Sequence, residues 1–129
     1  METYKYQSNK HNVTPFCLRL SLKTKWFEMT KAGIKTEDYR EINDYWIKRL
    51  CFKPEMGSVL DYPENRRYGN LVIRNFDINT MTLGYPKAND TERILNLKHK
   101  GIIIGTGNPE WGAEPNKLYF VIMHGVILA

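Results

Sequence analysis

The order of its patterned segments predicts an α+β, mainly β protein, a small closed or half-closed barrel with helices on its outside and ends. Three observations carry that prediction. Phe16, Leu18, Leu20 and Leu22 alternate with Cys17, Arg19 and Ser21, the period of a half-buried strand. Two short amphipathic stretches follow, separated by a strongly polar segment. From Asn70 onward the chain is rich in β-forming residues with turn signals between the runs. A parallel α/β sheet would need a helix between each late pair of strands, and none is visible.

The elements follow in order. Thr24 can cap a short helix running to Ala32, anchored by Trp26, Phe27 and Met29. Gly33 stands where that helix should stop, because a C-terminal left-handed residue is cheapest as glycine. Lys35 to Ile42 reads as a polar strand. Asn43 or Asp44 caps a second helix that buries Trp46, Ile47 and Leu50 and must end before Pro54. Pro54 to Gly69 is expected to be a long loop. The expected later strands are Leu71 to Asp77, Asn79 to Leu83, Arg93 to Ile104 and Leu118 to Leu128. The Gly84 to Asp90 turn makes a hairpin of two of them, and Gly101 marks a bulge or bend.

At 129 residues the chain is long enough for one core and too short for two. Residues 1–15 lack periodicity and read as a flexible arm ahead of a single domain, 16–129. That start lacks the apolar segment of a signal peptide, and no run approaches a membrane span, so a cytoplasmic protein without membrane partners is expected. Cys17 and Cys51 have no metal-type spacing and read as reduced, buried thiols. His99 and His124 lie on expected strands without a second His or Cys at ligand spacing. They read as structural histidines, with no metal and no cofactor. The net charge of +5 is uneven: residues 17–53 hold nine Lys/Arg against five Asp/Glu, and residues 54–129 hold eight of each. A basic field localised in this way favours a polyanionic partner, although a solvated Lys-rich face gives the same count.

Candidate chemistry concentrates in Gly33-Ile34-Lys35-Thr36-Glu37-Asp38-Tyr39-Arg40. On a strand, Thr36, Asp38 and Arg40 share one face, while Lys35, Glu37 and Tyr39 share the other. Asp38 could hold Arg40 in a fork, leaving a fixed guanidinium suited to phosphate or to a base edge. A structural ion pair on a sheet face is the plainer alternative. Gly105 to Gly112 is Gly-rich, but no helix follows to make a phosphate cradle. Within it, Trp111 could stack on a base or plug a barrel end, with Glu110 beside it. Trp26 and Trp46 read as core residues.

The run Leu18-Arg19-Leu20-Ser21-Leu22-Lys23, a short helix and then Gly33-x-Lys35-x-x-Asp38-x-Arg40 resembles the ASCH domain of the PUA-like superfamily. That family's hallmark has Glu where Asp38 stands. Lys100 to Gly105 and Asn108 to Gly112 look like small ASCH-type proteins of bacteria and phages. The resemblance covers most of Phe16 to Leu128. It implies a PUA-like five- or six-stranded β-barrel with two or more flanking helices, and a Lys- and Arg-lined cleft for RNA or a modified nucleoside. On that basis Lys23, Lys35, Thr36, Asp38, Arg40, Glu110 and Trp111 are the candidate ligand-binding residues.

Some bacterial members of the family are enzymes, an N4-acetylcytidine amidohydrolase and a ribonuclease, in which Lys35 and Asp38 would mark the catalytic positions. The Thr used by the amidohydrolase branch falls at Asp38 here, and its distant Glu has no motif to place it. Three functions follow: an RNA- or nucleotide-binding domain, a small hydrolase of a modified nucleoside, or a structural domain that binds a partner and keeps a vestigial site. The leading expectation is that Lys35 and Arg40 converge on one water-accessible hollow.

Overall fold

A computed structural model describes residues 15–55 and 57–128; the expected arm, apart from Pro15, lies outside the described residues. Strand β1 (Cys17–Leu22) forms as its alternation requires, with Leu18, Leu20 and Leu22 buried and Cys17 and Arg19 in solvent. Cys17 is therefore exposed rather than buried. It occupies an outward position of a two-residue repeat, and the apolar residues around it all point the other way. Helix α1 (Thr24–Lys31) follows directly. Its N-cap is Lys23, which makes no side-chain cap bond, and Thr24 is already helical.

Strand β2 (Glu37–Arg40) comes next, then helix α2 (Asp44–Leu50), whose N-cap Asn43 accepts the Trp46 N–H at 3.0 Å. Strand β3 (Cys51–Phe52) begins as soon as α2 ends. The expected loop of 54–69 contains two 3-10 turns, Val59–Asp61 and Glu64–Arg66, and then strand β4 (Arg67–Tyr68). The arginine pair ties this stretch down: Arg66 donates to the Ile73 carbonyl at 2.7 Å and Arg67 to the Tyr62 carbonyl at 2.8 Å. Strand β5 (Leu71–Ile73) is shorter than expected: the Arg74 N–H still reaches the Leu50 carbonyl at 2.7 Å, in register with the Cys51–Ile73 pair, but Leu50 already belongs to α2 and the strand pairing stops there. Strands β6 (Ile78–Leu83), β7 (Ile94–Thr106) and β8 (Leu118–Ile127) complete the chain.

Five strands join in the order β1-β6-β7-β8-β2, and three in a small second sheet, β3-β5-β4. The larger sheet is mixed and curls as a half-barrel, so the protein is mainly β within the α+β class. The β6–β7 hairpin is antiparallel as expected, but β1 lies parallel to β6, with Cys17 opposite Ile78 and Leu22 opposite Leu83. Residue contacts gather into two compact units, each built from separated stretches. The first takes the chain through Thr36, Phe76–His99 and the segment from His124. The second takes Glu37–Asn75 and Lys100–Met123.

The first unit buries Leu18, Leu20 and Leu22 of β1, Phe27 of α1, Met81 of β6 and Leu95 and Leu97 of β7. Each such side chain contributes about 1.5–3 kcal/mol relative to exposure. Its start is pinned by a reciprocal pair: the Phe16 N–H donates to an Asp77 carboxylate oxygen and the Asp77 N–H to the Phe16 carbonyl, both at 2.8 Å. The second unit buries Leu50, Cys51, Val72, Ile73 and the run Tyr119 to Ile122.

Polar burial distinguishes the first unit. Asn79 is wholly buried and lies between two buried histidines, 2.7 Å from His99 Nδ1 and 2.8 Å from His124 Nδ1. The amide oxygen only accepts, so His99 Nδ1 carries a proton; the amide nitrogen only donates, so His124 Nδ1 accepts. The two histidines thus meet one amide from opposite sides, one donating to it and the other accepting from it. His99 Nε2 is buried with no hydrogen-bond partner, and the ring stands edge-on to Phe76 at 5.5 Å. Burial lowers the His99 pKa from the usual 6.5 to about 4; the neighbouring His124 lowers it further and Asp77 opposes.

A histidine whose folded pKa is depressed binds its proton more readily when unfolded. Stability is therefore complete above pH 6.5, falls as pH drops through the interval down to 4, and loses nothing more from this group below it. Urea denaturation across that interval should show a loss of about 3 kcal/mol from His99, and His99→Gln should flatten this part of the profile.

Candidate functional site

The motif begins at a helix end that behaves as its sequence requires. The Ala32 N–H reaches the Glu28 carbonyl, and Gly33 takes a φ of +79° with open space where a Cβ would stand. Glycine is needed here for its backbone and not for close packing. The chain then wraps back, with the Ile34 and Lys35 N–H groups both donating to the Met29 carbonyl. This turn carries Lys35 inward: its side chain is 2% exposed, and its ammonium lies 5.7 Å from the Trp26 ring centre. Trp26 is itself only half-buried and has Lys25 at 4.8 Å, so it is a cation platform and not a core anchor. Lys23 and Thr36 are exposed. Lys35, Thr36, Lys23 and Trp26 all belong to the first unit.

Asp38 and Arg40 belong to the second unit, on β2, which pairs antiparallel with β8 so that Asp38 faces Ile122 and Arg40 faces Phe120. Asp38 is 4% exposed. A carboxylate so deeply buried needs charge or hydrogen-bond compensation. Arg40 supplies charge beside it, since the Asp38 carboxylate acts to raise the guanidinium's pKa. Burial outweighs that effect and lowers Arg40 below its ordinary value, and the like charge of Arg49 adds to the lowering.

The Arg40 guanidinium lies 5.1 Å from the Trp46 ring centre and that of Arg49 lies 5.2 Å from it. Trp46 is half-buried and carries two cations, where sequence reasoning placed it in the core. Arg49 was missed, although its position three residues after Trp46 on a helix was a readable signal. Arg49 also donates to the Tyr45 hydroxyl at 3.3 Å, and Tyr45 stands edge-on to Trp46 at 5.0 Å.

The Gly105 to Gly112 stretch is closed on itself. The N–H groups of Trp111 and Ala113 donate to the Asn108 carbonyl, that of Gly112 to the Pro109 carbonyl and that of Glu110 to the Asn108 side chain. The Asn108 N–H donates to the Tyr39 hydroxyl at 2.9 Å, and that hydroxyl donates to Glu37 at 2.8 Å. No backbone donor from Asn108 to Ala113 is left to cradle a phosphate, which agrees with the missing helix behind the loop. Trp111 is half-buried and Glu110 exposed in the 3-10 turn Pro109–Trp111. Burial pushes the Tyr39 phenol well above its usual range, partly offset by the Asn108 N–H.

Among the described residues no group of three His, Cys, Asp or Glu side chains is placed to hold a metal ion, and no helix is long and apolar enough to cross a membrane. No family model, curated protein or solved structure matches this chain in comparison.

Gly107 explains part of the loop's composition. A Cβ there would stand 2.6 Å from the Ala113 methyl and 2.7 Å from the Tyr39 ring. Gly107→Ala should therefore destabilise by about 1–3 kcal/mol in chemical denaturation. Tyr39→Leu should recover part of that loss in the double variant, since the two sites share one contact.

Proposed function

We propose that this protein is a binding module for RNA or a nucleotide-like ligand, held at the cationic face that Arg40 and Arg49 make around Trp46. The observation that carries this reading is electrostatic. Two guanidiniums share one indole, and one of them, Arg40, is desolvated by burial beside the Asp38 carboxylate, which offsets part of that cost. A phosphate or an acceptor-rich base edge placed there relieves the mutual repulsion of the two cations and meets donors already in position. The indole between them offers a face on which a base can stack. The likeness of Gly33 to Arg40 to the ASCH hallmark supports the same reading, as does the basic balance of residues 17–53.

A hydrolase acting on a modified nucleoside is the second reading, favoured by one observation: the Lys35 amine is shielded from solvent against the Trp26 ring. Turnover of N4-acetylcytidine by the natural protein, abolished by Lys35→Ala, supports it; no turnover by either removes it.

Fluorescence anisotropy with a short labelled single-stranded RNA tests the binding reading. Affinity should fall with rising salt, and Arg40→Ala should weaken it by about tenfold while reducing the salt slope by about one. Arg49→Ala should act in the same direction, since its guanidinium lies at a similar distance from the same ring. Unchanged affinity in Arg40→Ala, together with a lowered melting temperature, would assign this cluster to stability alone.

A further inference from the structure

Helix α2 presents a second flank. At 100° per residue, Asp44, Ile47 and Lys48 lie opposite the side occupied by Trp46 and Arg49, with Tyr45 between. On that flank the second unit contains a cavity of about 750 Å³, within the range of roughly 300–1,000 Å³ typical of small-molecule sites. Three cations line it, Lys48, Lys53 and Arg74, against one carboxylate, Asp44. Phe52 and Tyr45 supply its aromatic lining, and the buried Cys51 also borders it.

The parts differ in how firmly they are placed. Arg74 is half-buried, its guanidinium lies 5.6 Å from the Phe52 ring centre, and its own N–H is held by the Leu50 carbonyl. Phe52 is fixed by its pairing with Val72 and by an edge contact to Tyr62 at 6.1 Å. Tyr45 is 62% exposed, a large ring left in water at the rim. Lys48 and Lys53 are exposed. Burial raises the Cys51 thiol's pKa against the pull of Arg74, so that thiol is neutral.

We infer that this cavity is a nucleoside monophosphate site, with the phosphate among Lys48, Lys53 and Arg74 and the base against Tyr45 and Phe52. The surplus of two positive charges matches a phosphate monoester, which carries about −1.5 to −2 at neutral pH. Flat aromatic walls beside that charge select a planar apolar body over a bare anion or a sugar phosphate. The inference deepens the reading proposed above, from which it takes only the ligand's chemical class. It places the phosphate on the other flank of α2, where neither the Gly33 to Arg40 motif nor the Gly-rich loop reaches.

Isothermal titration of the full chain with the four nucleoside 5′-monophosphates, the free nucleosides and inorganic phosphate tests it, alongside the RNA assay above. Monophosphates should bind more tightly than either nucleosides or phosphate. The double variant Lys48→Glu/Lys53→Glu should weaken them by about tenfold or more, and Lys87→Glu, in an exposed turn of the other unit, should leave them unchanged. Both cavity lysines are exposed, so charge reversal leaves the core intact, and an unchanged melting temperature confirms it.

Inorganic phosphate binding as tightly as the nucleotides would overturn the inference. Monophosphate binding lost in Arg40→Ala and kept in the double variant would also overturn it, while leaving the binding-module reading in force. The same holds if RNA binds and no monophosphate does. If neither RNA nor any nucleotide binds, the two fall together.

Discussion

The full burial of the Asn79 amide is the constraint on which the first unit depends. A carboxamide with no solvent contact has to find partners inside the protein, or each unmet group costs on the order of 1–3 kcal/mol. Here the partners are histidines from β7 and β8, so one side chain of β6 specifies the placement of two other strands. The amide's orientation and the two ring tautomers are set together, His99 Nδ1 donating to the amide oxygen and His124 Nδ1 accepting from the amide nitrogen. Unlike the leucines around it, this network needs directed partners, which gives the sheet a register as well as a core.

The second unit places its charge differently. Its apolar interior, Leu50, Val72, Ile73 and Tyr119 to Ile122, leaves α2 with two flanks free of core duty. One carries Arg49 and Trp46 and receives Arg40 from β2; the other carries Lys48 and Asp44 and receives Lys53 and Arg74. In both places a guanidinium lies over an aromatic ring, Arg40 over Trp46 and Arg74 over Phe52. Stacking of this kind holds the cation in a defined direction while leaving its N–H edge for hydrogen bonds. A short helix is thereby turned into a basic element flanked by oriented donors.

The segment from Gly33 to Arg40 is an instance of how far motif reading goes. Its residue types and order are legible, and so are the helix stop at Gly33 and the shared face of Asp38 and Arg40, because these are local consequences of backbone geometry. The burial of Lys35 and Asp38 is not legible, since it depends on what packs over them. The expectation for Gly105 to Gly112 was half legible for the same reason. The missing helix argued against a phosphate loop, but the close approach of Gly107 to Tyr39 joins residues far apart in sequence.

Taken alone, the sequence determined what has a period: the alternation of β1, the two short helices, the β6–β7 hairpin and a mainly β architecture. Tertiary structure alone decided that β1 runs parallel to β6, that Cys17 faces water, that Trp26 and Trp46 carry cations, and that Arg74 meets Phe52 beside α2. The division has one physical cause. Periodicity records which face of an element is buried, whereas the identity of the partner across that face is a long-range contact that leaves no repeat in the chain.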